Sequence, residues 1–284
     1  MQQNKMGTLY VVATPIGNLQ DITLRAIEVL KEVDRVVAED TRHSGSLLKH
    51  FSIHKPILSL HEFNERERYQ TVIRYLQQGE SLALISDAGT PLISDPGFRL
   101  VNEAKALGIL VKCVPGACAA IAALSVSGLA TDQFIFDGFL PAKEEARLQR
   151  LTALAQETGT LIFYEAPHRL MACLQSMLAS LGKERKVVVA RELTKTYESV
   201  LSDTLPLLLH HFETHPEQQR GEIVILVEGA KEETHQTTLL DSERVLDVLL
   251  EELPLKQAAA LASKITGERK NVLYERALAK KEKK

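Results

Sequence analysis

The sequence predicts an α/β protein, two α/β domains followed by a small helix-turn-helix-like helical domain, and three observations lead there. Apolar runs of strand length alternate with amphipathic helical stretches through the first 125 residues, as in sheets whose strands are joined by crossover helices. A second set of such runs follows the small-residue stretch at 125–131. Beyond residue 240 only helical patterns remain. The expected domains are therefore 1–125, 126–230 and 240–284, with a polar, acidic linker at 232–241.

The first domain takes its strands from 9–14, 33–38, 82–86 and 110–114, the second from 134–139, 161–164, 186–190 and 222–227. One helix between them is easily delimited. Asn64 and Glu67 have capping-box spacing, Tyr69, Val72, Ile73 and Leu76 form an apolar stripe, and Gly79 ends it. At the other end of the chain, LKQAAALASKITGERKNVLYERAL reads as a small-residue helix over 256–264, a break at Thr266 and Gly267, and a second helix carrying Val272, Leu273 and Leu278. This is the helix-turn-helix pattern, with a plain helical hairpin as the competing reading.

Composition excludes several classes. Hydrophobic residues at 45% and charged residues at 25% argue against disorder, collagen and coiled coil. No apolar run approaches the ~20 residues of a membrane span, and the N-terminus reads without a signal peptide, so a cytoplasmic protein is expected. Cys113, Cys118 and Cys173 stand singly with no CxxC pair, which points to small buried hydrophobes and to neither disulfides nor a zinc site. His211 and His215 have helical metal spacing but no evident third ligand, so no metal is expected. The net charge of -3 hides an asymmetry: residues 254–284 hold nine Lys or Arg against three Glu, and 231–253 hold two against seven acids. A basic terminal segment on an acidic body suits phosphate contact, because local charge sets counterion release.

Chemistry concentrates at strand ends. ATPIGNLQDIT places Pro15 and Gly17 in a tight loop before a helix expected near Asp21. ISDAGTPLISDPG packs two Asp, two Gly and two Pro behind the run at 82–86, and VPGACAA follows the run at 110–114. Loops at the carboxyl edge of an open α/β sheet are where ligands bind, and glycine lets backbone approach them closely.

These segments, together with AEDTRHSGSLLKHF, GFLP, FYEAPHR and ARELTKTYE, resemble the tetrapyrrole-methylase superfamily in order and spacing. Within it they are similar to the branch that methylates a ribose 2′-hydroxyl of small-subunit ribosomal RNA. The resemblance spans residues 7–229 and continues into the C-terminal helices. It implies S-adenosylmethionine bound in a cleft between the two α/β domains, a homodimer, and as substrate a cytidine in the decoding region of 16S ribosomal RNA in the 30S subunit. Position by position, it assigns cofactor contacts to Pro15, Asp87, Ala88, Gly89, Ile93, Cys118 and Ala119. Thr90 stands where related tetrapyrrole methylases often have Asp, so no role of that carboxylate carries over.

Methyl transfer to a hydroxyl is an in-line displacement, requiring alignment and loss of the hydroxyl proton. Asp40 and Glu192 are the candidate proton acceptors or hydroxyl orienters, and Lys195, Arg42 and Arg191 the candidates for holding phosphate or stabilising a developing alkoxide. Caps and ion pairs among Glu39, Asp40 and Arg42, and an ion pair of Arg191 with Glu192, are the competing roles. Tyr164, Glu165, His168 and Arg169 follow a strand and either meet a nucleotide or open a helix. Two other functions compete: a tetrapyrrole-type small-molecule methylase, which has no use for a basic terminal domain, and a ligand-sensing nucleic-acid-binding protein without turnover.

Overall fold

A computed structural model describes residues 6–60, 65–231 and 239–282. The chain forms two compact units, Met1–Gly229 and Ala230–Lys284. The first unit contains two five-stranded sheets.

Sheet one holds β1 (Thr8–Val12), β2 (Arg35–Ala38), β3 (Ile57–Ser59), β4 (Leu82–Ile85) and β5 (Leu110–Val114) in the order β3-β2-β4-β1-β5. All its pairings are parallel. A parallel sheet must be covered on both faces, which is why β4 reads LALI without alternation and is buried throughout. One face packs on α1 (Leu24–Glu32) and α2 (Thr41–His50) through Ala26, Leu30 and Leu48. The other packs on α3 (Glu65–Gln77) and α4 (Phe98–Ala106) through Val72, Leu76, Leu100 and Ala104. Adjacent strands β1 and β4 thus send their following helices to opposite faces, and that divergence opens a crevice at their carboxyl ends.

Sheet two holds β6 (Phe134–Phe139), β7 (Thr160–Glu165), β8 (Lys186–Arg191), β9 (Ser199–Thr204) and β10 (Ile223–Val227) in the order β6-β7-β10-β8-β9. Only β6 and β7 pair in parallel; the remaining pairs are antiparallel. Helices α6 (Glu144–Leu154), α7 (Leu170–Leu181) and α8 (Leu205–Thr214) cover one face with Leu151, Leu174, Met177 and Phe212. The opposite face receives α5 (Ala119–Ser127), whose Ala120, Ala123 and Leu124 pack on Ile162, Val188 and Val224. Helix α5 leaves sheet one from β5 and lies on sheet two. Its alanines allow the close approach that joins the two sheets.

Several expectations change. Strands β3 and β9 were not anticipated from the sequence: both are edge strands with half-exposed, polar-interrupted patterns. The helix expected near Asp21 begins at Leu24, because the Thr23 side chain accepts from Ala26 N and caps it, while Asn18 caps a separate short turn at Leu19–Asp21. Of the cysteines only Cys173 is buried; Cys113 is exposed on edge strand β5 and Cys118 is half-buried before α5. The stripe of Val72, Ile73 and Leu76 is buried and Gly79 has φ 96°, but Asn64, half of the capping box, and most of the 232–241 linker lie outside the described residues.

The second unit consists of α9 (Leu239–Glu252), α10 (Leu255–Thr266) and α11 (Lys270–Glu282) around Leu246, Ala258, Ala259, Ala262, Leu273 and Ala277. Gly267 at φ 73° terminates α10 in the left-handed region, as the sequence predicts. Ser263 Oγ donates to the Glu268 carbonyl at 2.6 Å, and Arg276 pairs with Glu268 at 2.7 Å, fixing the turn. Lys256, Lys264, Arg269 and Lys270 are exposed. Among the described residues, no helix is long and apolar enough to cross a membrane.

Candidate active site

The loops after β1, β4 and β5 meet at one edge of sheet one, as the parallel arrangement requires. Thr14 N donates to the Gly89 carbonyl at 2.8 Å and Gly89 N returns a bond to Thr14 O at 3.1 Å. Thr90 Oγ1 donates to the Ala117 carbonyl at 3.0 Å, linking the second loop to the third. Gly89 has φ 81°, and a Cβ there would stand 3.3 Å from Ile16 Cγ2, so glycine suits both the backbone and the close approach.

These loops form one wall of a cleft of about 380 Å³, with Ile16, Ala88, Gly89, Ile93 and Ala119 on one side. Tyr164, Ala166, Ala190, Leu193 and Val224, from sheet two and its loops, form the other. Tyr164 OH accepts from Ala120 N at 3.2 Å, so the phenol ties β7 to the first turn of α5. Burial first, then the nearby Cys118, raises the Tyr164 pKa and keeps its proton in place. A second cavity of about 390 Å³ adjoins the cleft, sharing Ile16, Ala88 and Glu222 with it. Pro15, Gly17 and Asp87 line this second space, as do His43, Ser46 and His50 on one face of α2, and Lys195.

The structure therefore brings most of the anticipated cofactor residues together but divides them between two spaces. Ala88, Gly89, Ile93 and Ala119 line the first cleft, Pro15 and Asp87 the second, and Ala88 both. Cys118 is the residue before α5, beside Tyr164.

The candidate catalytic residues fall into two groups. Asp40 N-caps α2, accepting from Arg42 N at 2.8 Å, and pairs with the Arg42 guanidinium at 2.9 Å. The Arg42 side chain, followed by its backbone N–H, holds the Asp40 pKa down to about 2. This is the cap-and-pair arrangement that competed with catalysis in the sequence reading, although Asp40 N also donates to Asp87 Oδ1 at 3.3 Å, at the edge of the second cavity. Glu192 and Lys195 lie on the β8–β9 loop. Glu192 Oε1 accepts from Lys195 Nζ at 3.0 Å and from Glu222 N at 2.8 Å, and Lys195 also reaches Glu222 Oε2 at 3.2 Å. Burial disfavours the Glu192 charge, but the Glu222 N–H and Lys195 outweigh it, so its pKa falls; Lys195, likewise opposed by burial, is raised by its two carboxylates. Two glycines make room for the loop: a Cβ on Gly17 would lie 2.6 Å from Lys195 Cγ, and one on Gly221 2.4 Å from Glu192 Cδ. Arg191 donates to Ser199 Oγ at 3.2 Å and to the Arg220 carbonyl at 3.5 Å, and its charge adds to those that lower the Glu192 pKa.

Two further acids stand at the cleft: Asp95, given no site role from sequence, and Glu165, which sequence placed after a strand as a nucleotide contact or helix opener. Asp95 lines the cleft, and burial, opposed by a Ser86 hydrogen bond and aided by Glu39 and Asp87, pushes its pKa up to about 6. Glu165 has a fully buried side chain whose Oε1 accepts from Ala166 N at 2.8 Å and pairs with Arg169 at 3.2 Å. Among the described residues no group meets hydrogen-bond geometry to its Oε2, and the buried Cys173 thiol lies against the carboxylate. Arg169 in turn donates to the carbonyls of Leu140 and Pro141 at 2.6 and 3.2 Å, so GFLP and YEAPHR are one clamped wall. The density of acids in SDPG and YEA was visible in sequence; their burial was not. His211 and His215 stack with ring centroids 4.5 Å apart, and among the described residues no group of three or more His, Cys, Asp or Glu is placed to hold a metal.

Such a cleft takes a ligand with a flat apolar portion, met by backbone groups where side chains are small, and with a positive portion set against acids. A family model described as Tetrapyrrole (Corrin/Porphyrin) Methylases matches residues 8–208, and one described as the RsmI C-terminal HTH domain matches 237–281. The ribosomal RNA small subunit methyltransferase I of Pseudomonas aeruginosa is 58% identical over 273 residues, covering 96% of this chain and 97% of that protein. Its namesake in Haemophilus influenzae is 51% identical over 278 residues, covering 98% of each. Among solved structures, uroporphyrin-III-C-methyltransferase from Thermus thermophilus aligns with a TM-score of 0.56 at 20% identity over 78% of this chain and 94% of that one. A diphthine synthase aligns at 0.60 and 15% identity, over 78% and 90%. Those two share the fold.

Proposed function

The chain belongs to the ribosomal RNA small subunit methyltransferase I family of tetrapyrrole methylases, and on that premise we propose that it methylates the ribose 2′-hydroxyl of a cytidine in the decoding region of 16S ribosomal RNA. The donor is S-adenosylmethionine, which when bound supplies a methyl group on a positively charged sulfur. The observation that carries this reading is the cleft itself: backbone-rich, lined by Ala88, Gly89, Ile93 and Ala119, with acids on its rim and an adjoining cavity at Ile16 and Ala88. Pro15, Asp87 and Cys118 complete the cofactor wall at its margin.

Asp40 and Glu192 are each held ionised by a cation. That suits each to accept a hydrogen bond and orient a hydroxyl, whereas the lowered pKa makes each a weak base for taking its proton as the oxygen–carbon bond forms. Lys195 faces the second cavity and is placed to balance alkoxide charge, with Arg42 and Arg191 further out as phosphate contacts. The exposed lysines and arginines of the C-terminal unit add sequence-independent RNA affinity. We further propose a homodimer acting on the 30S subunit in the cytoplasm.

The test is methyl transfer from labelled S-adenosylmethionine to 30S subunits, naked 16S RNA and a tetrapyrrole mixture. Label at a cytidine ribose of the 30S subunit is the expected result. Label on tetrapyrrole alone, or cofactor binding without any turnover, would overturn the reading in favour of a small-molecule methylase or a sensor. Sedimentation of the free protein as a monomer would remove the dimer.

A further inference from the structure

The two adjoining cavities raise a question of division. If the cleft beside Tyr164 holds the methyl donor, the space under α2 has no assigned occupant beyond the reacting oxygen beside Lys195, yet it is as large and differs in chemistry. Helix α2 presents His43, Ser46, Leu47 and His50 to it. Those positions are spaced i, i+3, i+4 and i+7, so one helical face lines the cavity. His43, Ser46 and His50 are exposed, whereas Leu47 is buried and anchors the helix. Opposite them are Pro15, Gly17 and Leu19 of the first loop, with Lys195 and Asp87 at the inner end. The His50 ring stands edge-on against Phe51 with centroids 4.8 Å apart.

That inventory matches an extruded nucleotide. The imidazoles offer flat surfaces on which an unstacked base can lie, Leu19 an apolar one, and the hydroxyl and ammonium groups offer hydrogen bonds for its edge and its ribose. Enzymes that act on a base inside structured nucleic acid take the nucleotide out of the stack and seat it in a pocket, and a 2′-hydroxyl that must reach a donor deep in a cleft gains access in the same way when its nucleotide is splayed out. The two spaces meet at Ile16, Ala88 and Glu222. A ribose at the inner end of the second cavity would therefore face the first across two small or apolar side chains.

We infer that the cavity between α2 and the first loop is the substrate-nucleotide subsite, with His43 and His50 flanking the base. This rests on the methyltransferase reading above and adds where, and by which residues, the acceptor is held. His43, Ser46 and His50 are exposed helix positions, so their substitution leaves the fold intact, and Ser46→Trp fills the cavity without touching the first cleft.

Three readouts test it: S-adenosylmethionine affinity by calorimetry, steady-state methylation of 30S subunits, and the imidazole proton resonances on titration with a short cytidine-containing oligoribonucleotide. Ser46→Trp is expected to keep cofactor affinity within about twofold while losing methylation more than a hundredfold. The double variant His43→Ala, His50→Ala is expected to raise KM for 30S subunits about tenfold at unchanged cofactor affinity. In the wild type the oligoribonucleotide is expected to shift both imidazole signals. Full activity of Ser46→Trp, parallel loss of cofactor affinity in either variant, or unmoved His43 and His50 signals would each overturn the assignment. A wild type that labels no RNA would instead sink the functional reading, and the imidazole titration would still decide on the subsite.

Discussion

Replacing Asp95 by Asn should make the protein more stable at neutral pH, and the size of the gain follows from the cleft. Burial, countered by the Ser86 hydrogen bond and reinforced by Glu39 and Asp87, raises the Asp95 pKa from 3.8 to about 6. That difference corresponds to about 3 kcal/mol at about 1.4 kcal/mol per pH unit. Asp95 keeps partial solvent contact, so screening reduces the figure to about 1–2 kcal/mol. The sign is that of an acid more basic in the folded state. Its favourable contribution is complete below pH 4 and is lost as pH rises through about 6, because the folded protein binds the proton more tightly than the unfolded chain. Asn keeps the shape and a hydrogen-bonding group for Ser86 but cannot ionise. Urea unfolding of both proteins at pH 7.5 and pH 4.5 is the assay. The expected result is a variant more stable by about 1–2 kcal/mol at pH 7.5 and by distinctly less at pH 4.5, where the folded carboxyl is protonated but the unfolded one is still largely ionised. A variant less stable at pH 7.5, or a gain equal at both pH values, would refute the reasoning. It would mean either that Asp95 has an undiscounted cationic partner or that the effect is steric. Retention of a destabilising acid beside a cleft is the pattern expected where charge serves a ligand.

Other consequences follow from the same geometry. Gly221→Ala should cost about 1–2 kcal/mol and reduce methylation, because φ 88° is strained for alanine and the new Cβ would lie 2.4 Å from Glu192 Cδ; thermal unfolding and a kcat measurement check this together. Glu165→Gln should destabilise by about 3 kcal/mol in urea, since it leaves the Arg169 guanidinium without its buried counter-charge, and Glu165→Gln with Arg169→Met should recover part of the loss. Removing residues 230–284 should leave a cooperatively folding protein that binds S-adenosylmethionine, because Met1–Gly229 is one compact unit with its own cores; transfer to 30S subunits should fall at least tenfold, and unchanged transfer would deny the terminal helices a role in RNA binding. Asp40→Asn keeps an oxygen to cap α2 but weakens the pair with Arg42, so a loss of kcat at unchanged thermal stability would place Asp40 in catalysis, and no loss would leave it a cap.

What sequence could reveal here was whatever the backbone must do alone. Val36, Ala83 and their neighbours form uninterrupted apolar runs because parallel strands are buried on both faces, and those strands were legible. The edge strands β3 and β9 were not, since an edge needs only half an apolar pattern: β3 is three residues ending in Ser, and Ser, Asp and Thr interrupt β9. Pro15, Gly89 and Gly97 marked the site loops because restricted or left-handed backbone has few alternatives: Gly89 and Gly97 sit at φ 81° and 121°. The less legible part lies where two loops distant in sequence share a space. Nothing near Gly17 announces that Lys195 lies across it, or near Gly221 that Glu192 does, yet those two glycines let the β8–β9 loop bring an ion pair to the mouth of the second cavity. Asp95 and Glu165 stood in motifs that sequence did mark, but their burial was obscure for a related reason: a carboxylate's chemistry is set by its surroundings, and for Glu165 these are Ala166, Arg169 and Cys173 in the first turn of α7. Residues whose role is conformational declare themselves in composition, whereas residues whose role is electrostatic do so only once the fold has placed their neighbours. At this site the two kinds depend on each other, because the glycines create the clearances in which the charges act, and a substitution at Gly221 tests both at once.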